Sequence, residues 1–364
     1  MNIDNRAISI SLVILATIAV FYVLVVGQAF LVPLAVAVMI WYVINALSRT
    51  YARIIPWLNR ESWITTIAAL VSIALFISFA VDMVQNNVAD VTAAAPRYKS
   101  NIIELANKVT AISDQLNITA FIPDLAKLVN GIEITPVISS LAGTFVGMIS
   151  NISLVLIYVL FLMLEQGTFT RKITAIFPNP ERRESVLSIL SHTQEDIQTY
   201  LGIKTMTSTL TGVISYGVLL MVGVDFAGFW AFTIFLLNYI PTVGSIIATF
   251  FPAILALIQF DTLFQFFVVL AAVGSIQFVI GSFLEPKLMG DSLNVSPFVV
   301  MMSLTLWGSI WGIAGMFLSV PITVIMLIVF AHFERTRYLA ILLSGNGNLK
   351  FTENTLSPST KSDD

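Results

Sequence analysis

Two long uncharged stretches of the sequence, each broken in the middle by glycine and proline, constrain the fold most strongly. The first runs from Phe226 to Phe260 and has 35 residues, and the second runs from Val295 to Phe333 and has 39. A bilayer core about 30 Å thick needs roughly 20 helical residues for one crossing. Each stretch is therefore too long for one membrane span and too short for two full-length spans joined by a turn. The interruptions are Pro241, Gly244 and Pro252 in the first stretch, and Pro297, Gly308, Gly312, Gly315 and Pro321 in the second.

Each broken stretch is predicted to fold as a hairpin of two short helical pieces, which is either re-entrant or crosses the membrane fully. Backbone groups released by a helix break in hydrocarbon must be satisfied by protein or by a water-filled cavity. Paired apolar segments broken by glycine or proline are the sequence feature that best indicates the binding site of a transporter. A membrane scaffold without transport would explain the helices, but it would not explain polar residues at both breaks.

The composition predicts an all-α polytopic membrane protein. Apolar residues make up 57% of the chain and charged residues only 11%, against about 25% charged residues in soluble domains. The chain has no cysteine, which excludes a disulfide framework and a Cys-ligated metal. Nucleotide-binding and hydrolase motifs are missing from the sequence, so we do not expect an enzyme or a cofactor. No basic run with interleaved aromatic residues points to nucleic acid.

Charges between the apolar stretches predict the topology. Arg49, Arg53 and Arg60 lie in the short loop before the third span, which places this loop and the N-terminus in the cytoplasm. The polar segment after the third span is then external. It is amphipathic, so it lies on the membrane or against a neighbouring subunit, or it forms a small external helical cap. Counting the membrane crossings from the cytoplasmic N-terminus places the C-terminus in the cytoplasm as well.

The sequence accordingly divides into six predicted segments. They are transmembrane helices 1–3 in residues 1–84, the external amphipathic segment in 85–135, transmembrane helix 4 in 136–164, a cytoplasmic helical segment in 165–203, a transmembrane core with both broken hairpins in 204–333, and a partly disordered cytoplasmic tail in 334–364.

Four motifs in the second half occur in the order and spacing of a known family. They are NYIPTVGS at 238–245, LEPKLMG at 284–290, SPFVVMMSLTLWG at 296–308 and GMFLSVPIT at 315–323. On these motifs the chain resembles the autoinducer-2 exporter family of bacterial inner-membrane proteins, and the likeness covers all but its extreme ends. Many relatives carry a lysine a few residues after the last motif, where this chain has Leu327. Any role that this lysine has in its relatives is therefore not assigned to this chain.

The resemblance implies a transporter of about eight spans that assembles as a homo-oligomer, a pentamer, with one pathway in each protomer. One member of the family exports autoinducer-2, a small hydroxylated furanone-type signal used in quorum sensing. Other members resemble sodium/proton antiporters, so membership of the family does not identify the substrate.

Polar residues at the first break are candidates for a substrate pathway. Asn238 stands among apolar neighbours, where an unpaired amide is costly. It either faces the solute or forms a hydrogen bond between helices. Helix ends at the break offer backbone groups to a polar, uncharged solute, although a plain kink is the alternative. The predicted pathway residues are Asn238, Pro241, Thr242, Gly244, Ser245 and, in the next span, Gln277, which alternatively serves helix packing.

A second group of candidates ends the inward-going span: Glu285, Pro286, Lys287 and Gly290. A carboxylate and an ammonium at the membrane edge can gate a pathway or carry a proton. The alternative is an interfacial turn closed by a salt bridge.

The broken helices with polar residues at the breaks favour a secondary transporter of a small polar organic molecule. The resemblance implies that it exports this molecule, autoinducer-2 or a similar signal, across the bacterial inner membrane. The alternative is a sodium/proton antiporter, which usually needs a titratable carboxylate deep in the membrane. Asp225, Asp261 and Glu285 all lie at the edges of spans, which counts against it. The expected partners are a small-molecule solute, membrane lipid and further copies of the chain.

Overall fold

The computed structural model describes residues 2–55, 63–115, 152–260, 262–290 and 294–349, and most of these residues are helical. The helices are α1 (Asn2–Val26), α2 (Gln28–Ile54), α3 (Trp63–Gln115), α4 (Ile152–Ile176), α5 (Pro180–Val222), α6 (Ala227–Leu237), α7 (Val243–Phe260), α8 (Leu263–Val279), α9 (Glu285–Met289), α10 (Pro297–His332) and α11 (Arg337–Leu343). A π-helical segment, Ile280–Leu284, joins α8 to α9.

Eight helical stretches within these residues are long and apolar enough to cross a membrane. The prediction of an all-α polytopic membrane protein of about eight spans is therefore confirmed. Extended pairing in the same part of the chain is limited to an isolated bridge between Val295 and Ser344.

Two helices are longer than the spans predicted from hydropathy. α3 has 53 residues and carries the third apolar span directly into the polar segment that follows it. α5 has 43 residues and joins the predicted cytoplasmic segment to the fifth span without a break. Residues 116–151 and 350–364 lie outside the described residues, and with them the rest of the external segment, the start of the fourth span and the final part of the tail. The six segment boundaries stay predictions.

The described helices fall into two compact units. One unit contains α1, α4, α10 and α11, together with α2 up to Leu47 and α5 up to Leu201. The other contains α3 and α6–α9, together with the remainder of α2 and the part of α5 from Gly202 onward. Both the pathway residues and the gating residues predicted from sequence belong to this second unit.

The first broken stretch forms a hairpin in the second unit, with α6 and α7 as its arms. α6 has only 11 residues, so it rises about 16 Å, roughly half the thickness of a bilayer core. α7 presents small buried side chains, Ala248, Ala253 and Ala256, to the apolar cluster of this unit. Small residues allow transmembrane helices to approach closely.

The base of this hairpin is bound to the polar extension of α3. The Tyr98 hydroxyl donates to Asp225 Oδ2 at 2.9 Å, and Arg97 forms an ion pair with the same carboxylate. Gln259, near the end of α7, donates to Asp225 Oδ1 at 3.1 Å. Because Asp225 precedes α6, this network ties both arms to α3. Burial, together with the hydrogen bond to Asp225, raises the pKa of Tyr98 to about 12.

The second broken stretch also forms a hairpin, within the first unit. α10 is interrupted at Gly312, whose φ of 62° and ψ of −141° are accessible in practice only to glycine. The two arms lie side by side, because Ser303 Oγ donates to the Ser319 carbonyl at 3.1 Å and lies 2.5 Å from Thr323 Oγ1. Glycine and proline thus produced a helical hairpin in both stretches where the sequence predicted one.

Candidate functional site

The break between α6 and α7 is built from the predicted pathway residues. Pro241 lacks a backbone N–H and so ends the hydrogen-bonding pattern of α6. Thr242 follows in the left-handed region, with φ of 57°. A β-branched residue held there stores of order 1–3 kcal/mol of strain, which persists only where the surroundings impose it. The hairpin tip is therefore a constrained turn, and Thr242 is exposed on it.

Gly244 allows the two arms to meet at this turn. A Cβ at this position would lie 1.8 Å from the Leu237 carbonyl oxygen, a distance at which any side chain is excluded. Ser245 is half-buried beside it, and its carbonyl accepts a hydrogen bond from Thr249 Oγ1 at 2.8 Å. Close packing of the two arms therefore explains why a glycine occupies position 244, which the sequence predicted to lie in the pathway.

Asn238 caps the C-terminus of α6 and is 4% exposed. Its side-chain Nδ2 donates to Ser208 Oγ of α5 at 3.1 Å. The amide therefore takes part in an interhelical hydrogen bond, the alternative that the sequence left open. That bond also brings the hairpin tip against a polar face of α5.

The polar face of α5 was missed by sequence reasoning as a feature of the site. The buried hydroxyls of this span lie on one face of the helix. The signal available in the sequence was the spacing of three or four residues between them. The buried polar residues of this face are Lys204, Thr207, Ser208, Thr211 and Ser215.

Gln277 lies on the buried face of α8, in line with Val269 and Val273, and is 8% exposed. Its Nε2 has no hydrogen-bond partner among the described residues, and the same holds for Ser215 Oγ on α5. Burying a polar group without a partner costs free energy, so these two atoms distinguish the region from an ordinary packed interface.

A buried ion pair lies at the far end of α8. Lys204 Nζ of α5 lies 2.6 Å from Glu285 Oε1 of α9, and the two side chains are 5% and 16% exposed. The sequence singled out Glu285 but not Lys204, and it considered Lys287 as the partner. Pro286, Lys287 and Gly290 are exposed, and Gly290 ends α9 with φ of 51°. Glu285 therefore differs from these three neighbours in the motif, because it is largely buried and forms an ion pair with a lysine of another helix.

The second unit therefore contains the hairpin tip, the polar face of α5, Gln277 and the ion pair. Their assignment to a transport pathway stays a prediction. No group of three or more His, Cys, Asp or Glu residues in the described part of the chain is arranged to hold a metal ion.

Spans broken by glycine and proline, with hydroxyl, amide and ionic groups buried between apolar helices, define the class of polytopic membrane transport proteins. The sequence profile described as AI-2E family transporter matches residues 11–335. The chain belongs to this family.

Relatives that are similar over most of their length are also named as transport proteins. A Haemophilus influenzae protein, provisionally named a transport protein, is 30% identical over 348 residues, which cover 94% of this chain and 97% of the relative. The AI-2 transport protein TqsA of Escherichia coli K12 is 28% identical over 317 residues, covering 86% of this chain and 89% of TqsA. The protein is thus a multi-pass membrane protein of a transporter family, as the motifs predicted.

Proposed function

We propose that this protein is a secondary transporter that exports a small, uncharged, polar organic molecule across the bacterial cytoplasmic membrane. Autoinducer-2 or a similarly hydroxylated signal is the proposed substrate, supported by the name of the TqsA relative. The motifs at 238–245 and 284–290, on which the resemblance rested, contain the residues proposed to act.

The observation that carries the proposal is the contact between Asn238 and Ser208 at the broken end of α6. An amide and a hydroxyl can exchange their mutual hydrogen bond for bonds to a hydroxylated solute at little net cost. The backbone break beside them supplies further donors and acceptors. Neutral polar groups of this kind suit a neutral polar solute.

The proposed arrangement in the membrane follows from helix lengths and charges. α6 rises only about half the bilayer core, so we propose that the first hairpin is re-entrant. Arg53 in the last turn of α2 and the basic residues Arg171 and Lys172 of α4 are proposed to be cytoplasmic, with both termini on the same side. The protein is also proposed to assemble with further copies of itself as a pentamer. Because most of α1 is exposed, this helix is proposed to contact lipid.

A second candidate function is sodium/proton antiport, because Glu285 is a largely buried carboxylate. A carboxylate that exchanges protons for cations must lose its counter-charge during the cycle, and Lys204 would then have to move away. The buried pair is the one observation that favours this alternative.

The test is the accumulation of autoinducer-2 in cells lacking their own exporter, with and without this protein. The proposal expects a lower internal signal with the wild type and loss of this effect in Asn238→Ala at equal expression. Asn87→Ala is the matched control, because the Asn87 amide donates to the Met83 carbonyl of its own helix at 2.7 Å and to no other helix among the described residues. An unchanged internal signal with the wild type, together with sodium-dependent proton flux that disappears in Glu285→Gln, would establish the antiporter instead.

A further inference from the structure

The segment that follows α10 closes the base of the second hairpin. The Ser296 backbone N–H, just before the first arm, donates to the Leu343 carbonyl at the end of α11 at 2.9 Å. The Gly345 N–H donates to the Asn294 carbonyl at 3.0 Å, and Asn294 Nδ2 donates to the Asn348 carbonyl at 2.6 Å. Since α11 begins shortly after the second arm ends, it reaches from the end of one arm to the start of the other.

The length of α11 fits this position. Its seven residues rise about 10 Å, and the axes of packed helices lie about 8–10 Å apart. The two arms of α10 are in contact, because a Cβ on Gly308 would lie 3.0 Å from the Met316 side chain. Ala340 of α11 is fully buried and packs with Ala331 of the second arm and with Leu349. One face of α11 is thus fixed against the base of the hairpin.

The outer face of α11, formed by Tyr338, Ile341 and Leu342, is apolar and exposed. These residues have the i, i+3, i+4 spacing of one helical face, and they are 62%, 45% and 71% exposed. Phe333, in the turn between α10 and α11, is 57% exposed. A helix that is apolar on all sides is normally buried in a protein core or in a membrane. The described part of the chain leaves the outer face uncovered.

The place of α11 on the hairpin puts its outer face at a membrane surface. α10 is apolar enough to cross a membrane, and a hairpin inserted in hydrocarbon has both of its ends at the same surface. A helix that joins these two ends lies at the boundary between hydrocarbon and headgroups. Tyrosine is enriched at this boundary because its ring is apolar and its hydroxyl is polar. Tyr338 and its apolar neighbours therefore suit an interfacial helix.

The charges at the start of α11 favour anionic lipid as the occupant of this face. Arg335 is exposed in the turn before the helix, and Arg337 is half-buried as its first residue. Glu334, exposed beside them, offsets one of the two positive charges. Guanidinium groups bind phosphate oxygens in a bidentate geometry, and basic residues next to a span are attracted to anionic lipid. A symmetric contact between two copies of this segment would instead bring arginines against arginines.

We propose that the outer face of α11 lies in the headgroup layer of the membrane, where Arg335 and Arg337 bind the phosphate groups of anionic phospholipid. Phe333 and the side chains of the outer face contact the adjoining acyl chains. Lipid bound there holds the base of the second hairpin at the membrane surface, through the backbone bonds of Asn294 and Ser296. This inference is independent of the solute that the protein transports.

The absence of cysteine from the chain allows a nitroxide spin label to be attached to Leu342→Cys as the sole thiol. The label is itself apolar, so the outer face keeps its character. The full-length protein is placed in nanodiscs of phosphatidylcholine, with or without phosphatidylglycerol. Electron paramagnetic resonance then measures collisions of the label with oxygen, which concentrates among acyl chains, and with a water-soluble nickel chelate.

We expect the ratio of oxygen to nickel accessibility to be about fivefold higher at Leu342→Cys than at Asn346→Cys. Asn346 is the control position, because it is exposed in the polar segment that follows α11. Equal ratios at the two positions would place the outer face in water and overturn the inference. A Leu342→Cys label shielded from both oxygen and nickel would overturn it as well, because protein, such as another subunit, would then cover this face.

Phosphatidylglycerol should raise the ratio at Leu342→Cys about twofold, and Arg335→Gln combined with Arg337→Gln should abolish this rise. Arg182→Gln with Arg183→Gln is the matched control, because it removes the same charge at the start of α5, where one arginine is likewise exposed and the other half-buried. This control should keep the rise. A rise that persists without Arg335 and Arg337, or one that the control also abolishes, would show that these two arginines do not bind the headgroups.

Discussion

Lys204 and Glu285, 81 residues apart in the chain, meet at 2.6 Å inside the second unit, with side chains 5% and 16% exposed. Two charges held this far from water attract each other strongly, but each has lost hydration. The pair therefore contributes little net stability as a pair, whereas the loss of one partner leaves an uncompensated charge in an apolar environment.

Single substitutions at this pair should be more damaging than the double substitution. Lys204→Met leaves the carboxylate buried and unpaired, which is expected to cost about 3–5 kcal/mol of unfolding free energy. Lys204→Met combined with Glu285→Gln removes both charges and should recover most of this loss. Thermal unfolding in detergent, followed by tryptophan fluorescence, measures the differences.

The exposed pair Lys172–Glu165 is the control for that experiment, since its side chains are 59% and 50% exposed. Lys172→Met should change stability by no more than about 1 kcal/mol because water screens such pairs. Equal losses at Lys204 and Lys172, or a double variant as unstable as Lys204→Met, would contradict the role given to burial.

Gly244→Ala and Gly315→Ala should each prevent the correct hairpin from forming. The added methyl group would lie 1.8 Å from the Leu237 carbonyl oxygen in the first case and 1.9 Å from the Trp307 carbonyl oxygen in the second. Size-exclusion chromatography of detergent-extracted protein should show loss of the folded peak. Gly217→Ala would add a Cβ that meets no atom of another described helix within 4 Å; this variant should remain folded and gain up to about 1 kcal/mol, because alanine favours a helix interior. Folded, stable Gly244→Ala protein would refute the close contact.

Ser208→Ala should destabilise the hairpin tip without disturbing the rest of α5. The substitution leaves the Asn238 amide buried without its acceptor, at a cost of about 1–3 kcal/mol. Thr209→Ala is the neighbouring control, because Thr209 is exposed and its hydroxyl donates to the Thr205 carbonyl of its own helix. We expect a change within about 0.5 kcal/mol there. Unfolding temperatures that fall equally in both variants would argue against a specific Asn238–Ser208 bond.

Tyr98, which lies beyond the membrane-spanning part of α3, should make stability depend on alkaline pH. Burial and the hydrogen bond to Asp225 raise its pKa from 10.0 to about 12. Between these values the folded protein keeps the phenol proton while the unfolded chain loses it, so this contribution to stability is complete below pH 10 and is lost as the pH rises toward 12. The difference in melting temperature between the wild type and Tyr98→Phe should narrow over this range. A constant difference would mean that Tyr98 titrates normally.

The class of protein and the positions of both hairpins followed from sequence alone. The length of an apolar stretch and the presence of glycine or proline within it are local properties, and they act through the backbone hydrogen bonds of neighbouring residues. Pro241 and Gly312 therefore marked the breaks that the fold contains. The motif around Asn238 and the one around Glu285 likewise identified the right region and the right family.

The tertiary structure alone determined which polar groups meet. Sequence reasoning passed over the hydroxyls of α5 and Lys204, because burial on one face of a helix depends on the helices that cover it. The partners of Asn238 and Glu285 lie 30 and 81 residues away, and no local pattern encodes contacts at such separations. The same long-range packing left Gln277 Nε2 buried beside an apolar core without a partner in the described residues.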